Sequence, residues 1–440
     1  MVYFFINKCY TLEMKKIVKK LIKPLFGEIE IPADKSISHR AVMFASLAKG
    51  KSVIKNFSTG RDCLSTVSVC KALGVDIEFK DNNNTLIVNS CGSLSSPNTP
   101  LDCGNSGTTM RLMSGILAGQ NFEAELIGDE SLSKRPMKRV IEPLSSMGAS
   151  ILSNNEKAPL KIFGQKLHGI VYHSKLSSAQ VKSCVLLAGL FAENNTTFNE
   201  PEKSRDHTER MLKAMGANIL TKDKSVTISS SQLNPIDFCV PGDISSAAFF
   251  IVAALLVPDS DIVLKNVGIN PTRTGIIDVV KRMGGNLELL NQREELGEPI
   301  ADIRVRYSTL NATEIYGAEI PRLIDEIPII TLLATQANGQ TVIRNAEDLR
   351  NKESDRISTV SEALTCVGAD ITETFDGFII NGCKKLHGGI ELKTYHDHRL
   401  AMMYYILGLI TDKPISIDGF EWSQVSFPEF EPLMEQLQNG

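Results

Sequence analysis

Two hydrophobic patterns alternate along this chain. The first is a short polar, cap-rich stretch that opens a run apolar on nearly every helical face. Its first copy is Asp34-Lys35-Ser36-Ile37-Ser38-His39-Arg40, which leads into Ala41-Val42-Met43-Phe44-Ala45-Ser46-Leu47-Ala48. A helix apolar all round is buried rather than laid on a surface, and Ser36 or Ser38 is placed to cap this one. Comparable starts follow at Gly104-Asn105-Ser106-Gly107-Thr108, Ser177-Ser178-Ala179-Gln180, Gly242-Asp243-Ile244-Ser245, Ile324-Asp325-Glu326-Ile327 and His396-Asp397-His398-Arg399, six in all. The second pattern is an amphipathic helix ending at a glycine, as in Val69-Cys70-Lys71-Ala72-Leu73-Gly74. It recurs with Gly148, Gly216, Gly284 and Gly368. Each glycine fits the left-handed position just past a helix end, and alternating strand sequence such as Leu86-Ile87-Val88 or Phe378-Ile379-Ile380 follows.

The pair of patterns returns every roughly 70 residues, longer than the repeat of a simple solenoid. Each period therefore holds a small α/β unit, βαβαββ. Three units closed around a pseudo-threefold axis make one domain, and six make two, which 440 residues also call for. The all-apolar helices belong inside, with the amphipathic helices and short sheets around them. A TIM barrel would invert that order. The halves divide near Val240-Pro241-Gly242-Asp243, and the strand Glu28-Ile29-Glu30-Ile31-Pro32, ahead of the first repeat, can pair in either half.

Composition narrows the function. Hydrophobic content of 42% and charged content of 22% are those of a soluble globular protein. Lys+Arg 47 against Asp+Glu 51 leaves no basic excess for nucleic acid, so any anion site must be a local concentration of cations. The longest apolar run, Ala247 to Val257, falls short of the roughly 20 residues that span a bilayer. Lysines follow the apolar opening Met1 to Cys9, the reverse of a signal peptide. Met14 is a candidate start, with residues 1–13 an extension. Nine scattered cysteines without a C-x-x-C pair indicate reduced thiols in the cytoplasm. His396-Asp397-His398 is the one tight cluster of potential metal ligands, and neighbouring helix-start side chains diverge, so no metal is expected.

The unusual polar residues sit at the six helix starts and in loops beside them: Lys35, Ser36 and Arg40; Asn105 to Thr108, then Arg135; Ser177, Ser178 and Gln180, then Ser204; Asp325, then Lys352, Glu353 and Arg356; His398 and Arg399. Lys35 and Arg40 lie where the helix dipole repels cations, which an incoming anion would offset. Helix N-termini bring free N–H groups to an anion, and Arg clamps carboxylate or phosphate bidentately. There is no Walker P-loop and no nucleophile elbow. Asp325, Glu353, Lys35 and Lys352 among arginines suit general acid–base chemistry on a polyanion.

These motifs resemble the 5-enolpyruvylshikimate-3-phosphate synthase family. The match rests on Pro32-Ala33-Asp34-Lys35-Ser36-Ile37-Ser38-His39-Arg40-Ala41, Gly104-Asn105-Ser106-Gly107-Thr108-Thr109-Met110-Arg111, Arg350-Asn351-Lys352-Glu353-Ser354-Asp355-Arg356 and Asp397-His398-Arg399-Leu400-Ala401-Met402, in family order from Lys15 onward. The resemblance implies two inside-out α/β domains, residues 35–242 and residues 1–34 plus 243–440, joined by crossovers near Lys35 and Gly242. It implies enolpyruvyl transfer from phosphoenolpyruvate to shikimate 3-phosphate by a monomer, with no cofactor. Lys35, Ser36, Arg40, Ser177, Ser178, Gln180, Ser204, Asp325 and Lys352 would bind shikimate 3-phosphate. Lys35, Asn105, Gly107, Arg135, Gln180, Arg356 and Arg399 would bind phosphoenolpyruvate. Asp325 would be the base, Glu353 the acid on the methylene carbon, with Lys35 and His398 beside the chemistry.

Two positions depart from the family. Val425 precedes Ser426-Phe427-Pro428 where many members have Lys, and His207 follows Ser204 where some have Tyr. Gly107 keeps its loop small, which implies inhibition by glyphosate. The related transferases acting on UDP-N-acetylglucosamine typically carry Lys-Asn and a catalytic Cys where this chain has Lys35-Ser36 and no Cys near Arg135.

Overall fold

The computed structural model describes residues 15–81, 84–382 and 384–440, and the candidate extension 1–13 lies outside them. Among the described residues, five four-stranded sheets and one three-stranded sheet surround two sets of three buried helices. The inner helices are Lys35–Leu47, Gly107–Ala118 and Ala179–Gly189 in one half, and Ile244–Leu256, Ile327–Ala334 and His398–Ile410 in the other. Their starts coincide with the six polar stretches. Each domain has its own apolar core, one built from residues between Ala33 and Val240, the other from Val18 to Ile31 together with Ile244 to Leu437. Inner helices approach closely: a Cβ on Gly115 would stand 2.1 Å from the Cys184 carbonyl oxygen, so only glycine lets these two helices meet.

Every four-stranded sheet has one parallel and two antiparallel pairings, the signature of a βαβαββ unit. The parallel edge strand comes from the preceding unit. Asp237–Cys239, at the end of the third unit, pairs with Lys49–Lys55 of the first and closes the ring. Phe26–Glu30 does the same in the other half by pairing with Asp261–Gly268. The five glycines after the amphipathic helices all have φ between 85° and 96°.

Two details differ from the pattern-based reading. The first inner helix is capped by Asp34, whose carboxylate accepts from the Ile37 N–H at 2.9 Å, and not by a serine. Ser38 lies within the helix and accepts from the Ser58 N–H instead. A sixth amphipathic helix, Phe430–Asn439, is also present. No strand follows it. The strand that would follow is replaced by Lys16–Val18 from the other end of the chain, antiparallel to Ile415–Asp418.

The two crossing segments run side by side: Asp34 donates its N–H to the Pro241 carbonyl at 2.8 Å, and Asp243 to that of Pro32 at 2.9 Å. Asp34 and Asp243 cap the first inner helix of each domain. Between them lies Arg273, 2% exposed, 3.0 Å from each carboxylate. No helix among the described residues is long and apolar enough to cross a membrane.

Candidate active site

All six inner helices contribute their first turn, or the residues just before it, to one cleft of about 470 Å³ between the domains. Lys35 and Ser36 come from the first helix, Gly107 and Thr108 from the second, and Ser178 and Gln180 from the third. The other domain adds Asp243 and Ser245, Asp325, and His398 with Arg399. Eleven Lys and Arg residues line the cleft against seven Asp and Glu, a local excess of four positive charges in a chain of net charge −4. Every residue that the sequence singled out for substrate or chemistry borders this space: Lys35, Ser36, Arg40, Asn105, Gly107, Arg135, Ser177, Ser178, Gln180, Ser204, Asp325, Lys352, Glu353, Arg356, His398 and Arg399.

Their surroundings give each a definite state. Lys35 Nζ lies 3.1 Å from Asp62; burial opposes its charge, but Asp62 and Glu353 together outweigh it and raise its pKa. Arg40 is 3% exposed and donates to Thr208, Ser183 and the Ser36 carbonyl at 2.7–2.8 Å, and burial pushes its pKa down to about 10. Gln180 accepts from Arg111 at 2.6 Å and donates to Thr108 at 3.0 Å, which settles which way its amide points. Ser177 accepts from the Glu202 N–H at 2.9 Å, so its own proton stays available. The Ser204 hydroxyl is committed to Glu200.

The carboxylates hold one another's cations. Glu353 lies 2.7 Å from Arg356 and 3.1 Å from Arg135 across the cleft. Burial works to raise its pKa, but Arg135 and Arg356 keep it well below the usual carboxylate range. Asp325 pairs with Arg205 of the other domain and lies 3.5 Å from both Lys352 and Arg356. It too is held well down, by Lys352 and Arg205 against burial. Burial, with Lys35 and Arg399 nearby, pushes His398 down to about 3, so its imidazole is neutral and its Nε2 has no hydrogen-bond partner. Arg399 is 9% exposed, and among the described residues its guanidinium has no ion-pair or hydrogen-bond partner. A nearly buried, unpaired guanidinium is a site that an anion completes.

Several lining residues had no assigned role at the sequence level. Arg111 stands one helical turn after Gly107. Arg139, 3.5 Å from Asp348, adds a third bridge across the cleft. Arg205 follows Ser204 directly, and Asp62 holds Lys35 from an outer helix. Of these, only Arg111 lay within a quoted motif. The two departures also have a place. His207 faces the crossing segments, with Nδ1 2.8 Å from Glu298 and Nε2 3.4 Å from Arg273, and does not line the cleft. Val425 is buried at the end of a short 3₁₀ helix, Phe420–Val425, and does not line it either.

Comparison with known proteins agrees with this architecture. The family model described as EPSP synthase (3-phosphoshikimate 1-carboxyvinyltransferase) matches residues 19–434. A 3-phosphoshikimate 1-carboxyvinyltransferase from Bacillus velezensis is 51% identical over 422 residues, covering 95% of this chain and 99% of the relative. The solved EPSP synthase from Acinetobacter baumannii superposes with a TM-score of 0.86 at 42% identity, covering 96% of this chain and 98% of that one. The enolpyruvyl transferase NikO from Streptomyces tendae shares the fold, with a TM-score of 0.80 at 16% identity over 97% of this chain and 98% of its own. The chain belongs to the EPSP synthase (3-phosphoshikimate 1-carboxyvinyltransferase) family.

Proposed function

We propose that this cleft binds shikimate 3-phosphate and phosphoenolpyruvate side by side and joins them. The chain is a 3-phosphoshikimate 1-carboxyvinyltransferase: it transfers the enolpyruvyl group to the 5-hydroxyl of shikimate 3-phosphate and releases phosphate. The observation that carries the assignment of residues is the convergence of six helix N-termini and an excess of four positive charges on one space. Two small polyanions are what such a space accepts.

Lys35, Ser36, Arg40, Ser177, Ser178, Gln180 and Ser204 hold shikimate 3-phosphate, the serines around its phosphate. Lys352 and Asp325 meet its 5-hydroxyl. Arg135, Arg356 and Arg399, with Lys35, Asn105, Gly107 and Gln180, hold phosphoenolpyruvate. Asp325 takes the hydroxyl proton as the oxygen attacks C2 of phosphoenolpyruvate, and Glu353 delivers a proton to C3, giving a tetrahedral intermediate. Glu353, now a carboxylate, takes a proton back from the new methyl group as the bond between C2 and the phosphate-ester oxygen breaks, which restores the double bond and expels phosphate. Fixed cations stabilise the charge that develops on the leaving phosphate.

Both carboxylates are too acidic for proton transfer near neutral pH while their arginines face them. Substrate anions compete for Arg135, Arg356 and Arg399. Losing Arg135 and Arg356 raises Glu353 toward a pKa at which it exchanges protons, while Asp325 rises less because Lys352 and Arg205 stay beside it. Neutral His398 offers its unpartnered Nε2 to the reacting groups.

Two cores, each closed by its own ring of sheets, support a division into residues 35–242 and residues 1–34 plus 243–440. The enzyme works as a monomer in the cytoplasm. Phosphate release from phosphoenolpyruvate tests the reading: release with shikimate 3-phosphate and none with UDP-N-acetylglucosamine is expected. Release only with the nucleotide sugar, or with neither, would overturn it.

A further inference from the structure

Lys182 is an ammonium with 0% side-chain exposure, on the inner helix whose start carries Ser178 and Gln180. A charge so buried persists only if its partners replace water completely. The ammonium donates to Glu200 Oε1 at 2.7 Å and to the Ser204 carbonyl at 3.2 Å, and it is ion-paired with Glu209 Oε1 at 2.8 Å. Burial works against the ammonium, yet Glu209 and Glu200 outweigh it and raise its pKa, so Lys182 stays charged.

The destinations of these contacts make the cluster more than a core ion pair. Glu200 uses its second oxygen to accept the Ser204 hydroxyl. Two routes from Lys182 therefore end on one cleft-lining residue, one through the backbone and one through Glu200. The next residue, Arg205, reaches across the cleft to Asp325. Residues 200–206 form neither helix nor strand. Their backbone N–H anchors are few: Glu200 to the Lys224 carbonyl, Glu202 to Ser177, Asp206 to Thr272. A segment so sparsely bonded takes its position from side chains: buried Asn270 and Thr272 hold its end at Asp206, and Lys182 holds its centre.

We propose that Lys182 is a positioning residue for shikimate 3-phosphate: it pins residues 200–206 from below and thereby fixes Ser204 and Arg205 against the substrate's phosphate. This rests on the reading of Ser204 as part of the phosphate subsite. It predicts a defect specific to one group of one substrate. Loss of the pin weakens the phosphate contact and leaves the shikimate ring and phosphoenolpyruvate contacts, made by other elements, in place.

The test compares wild type, Lys182→Met, Lys182→Arg and Ser204→Ala, using calorimetric titration with shikimate 3-phosphate and with shikimate, and steady-state kinetics with phosphoenolpyruvate. For Lys182→Met the preference for shikimate 3-phosphate over shikimate falls at least tenfold, KM for phosphoenolpyruvate stays within twofold, and Lys182→Arg recovers part of the preference. An equal loss for all three ligands, or none, would overturn the proposal. If Lys182→Met does not fold, Glu200→Ala, which removes one of the two routes to Ser204, is read by the same ratio. Ser204→Ala separates the two readings. A weakened phosphate preference in Ser204→Ala but not in Lys182→Met removes the Lys182 role alone. The reverse removes Ser204 from the phosphate subsite and leaves the pin acting through Arg205.

Discussion

Arg135 of one domain and Glu353 of the other meet across the cleft at 3.1 Å. The same glutamate lies 2.7 Å from Arg356, so one internal carboxylate occupies two of the three guanidiniums assigned to phosphoenolpyruvate. Only Arg399 stands free of a partner among the described residues. On the proposed assignment the substrate carboxylate and phosphate would compete with Glu353 for these guanidiniums, and in winning would convert it from an ion-paired carboxylate into an acid.

That competition predicts a split in the kinetics of Glu353→Gln. The amide cannot deliver the proton to C3, so kcat falls about 10²- to 10⁴-fold, the usual worth of a general acid. The amide also competes less for Arg135 and Arg356, so KM for phosphoenolpyruvate does not rise. Steady-state kinetics at saturating shikimate 3-phosphate measure both. An unchanged kcat would remove Glu353 from proton transfer.

Gly107 has no room to spare. A Cβ there would sit 3.1 Å from Arg111 Nη1 and 3.2 Å from Arg135 Nη1, both ends of flexible side chains. Gly107→Ala therefore folds but displaces the two guanidiniums by a few tenths of an ångström. KM for phosphoenolpyruvate should rise several-fold with kcat less affected. With glycine in place, glyphosate should inhibit in competition with phosphoenolpyruvate, and the alanine variant should be less sensitive. Turnover of the wild-type enzyme unaffected by high glyphosate would contradict this reading of the loop.

Much of this architecture is legible in the chain because it repeats. Six apolar helices with polar starts and five glycines at helix ends are local signals, and repetition separates them from chance. The choice among neighbouring cap candidates, and partnerships across sequence distance, are not legible. Asp34 caps the first helix because its carboxylate reaches Ile37, where Ser36 and Ser38 were equally good local candidates. Phe430–Asn439 lacks the strand that marks the other amphipathic helices, because Lys16–Val18 supplies that strand from the far end of the chain. Nothing local singles out Arg205 or Arg273; folding brings Asp325 to one, and Asp34 and Asp243 to the other.

Two buried histidines set an acid limit on stability. His398 is pushed down to about 3, and His39, fully buried with Lys35 and Arg40 nearby, lies well below its ordinary value. Both folded-state pKa values are below the unfolded value of about 6.5. Between those limits the unfolded chain binds protons that the folded chain refuses. The stability associated with the neutral rings is complete above pH 6.5 and is lost as pH falls, at about 1.4 kcal/mol per pH unit for each ring. His398→Gln should remove one such contribution, flattening the decline in urea-unfolding free energy between pH 6.5 and pH 5. An identical decline in the variant would show that His398 takes up its proton in the folded state.

Arg273 is the residue on which the two crossing segments depend. It neutralises Asp34 and Asp243, each of which caps the first inner helix of its own domain, and it also donates to Ser245 at 2.6 Å. Arg273→Met leaves two buried carboxylates without their shared cation, a loss of about 3–5 kcal/mol. For domains of this size that lowers Tm by about 10 °C. Arg273→Lys keeps the charge without the fork and should recover part of it. The deficit also has a pH signature. Burial and Asp243 already hold Asp34 above its ordinary value against Arg273, whereas Asp243 lies below; with the guanidinium gone, burial and mutual repulsion raise the pair further. A group so raised is most stable when protonated, so the variant loses stability as pH rises through that pKa and regains it as pH falls. The Tm difference from wild type should therefore be smaller at pH 5 than at pH 8. A difference independent of pH would mean that the two aspartates do not face each other without Arg273.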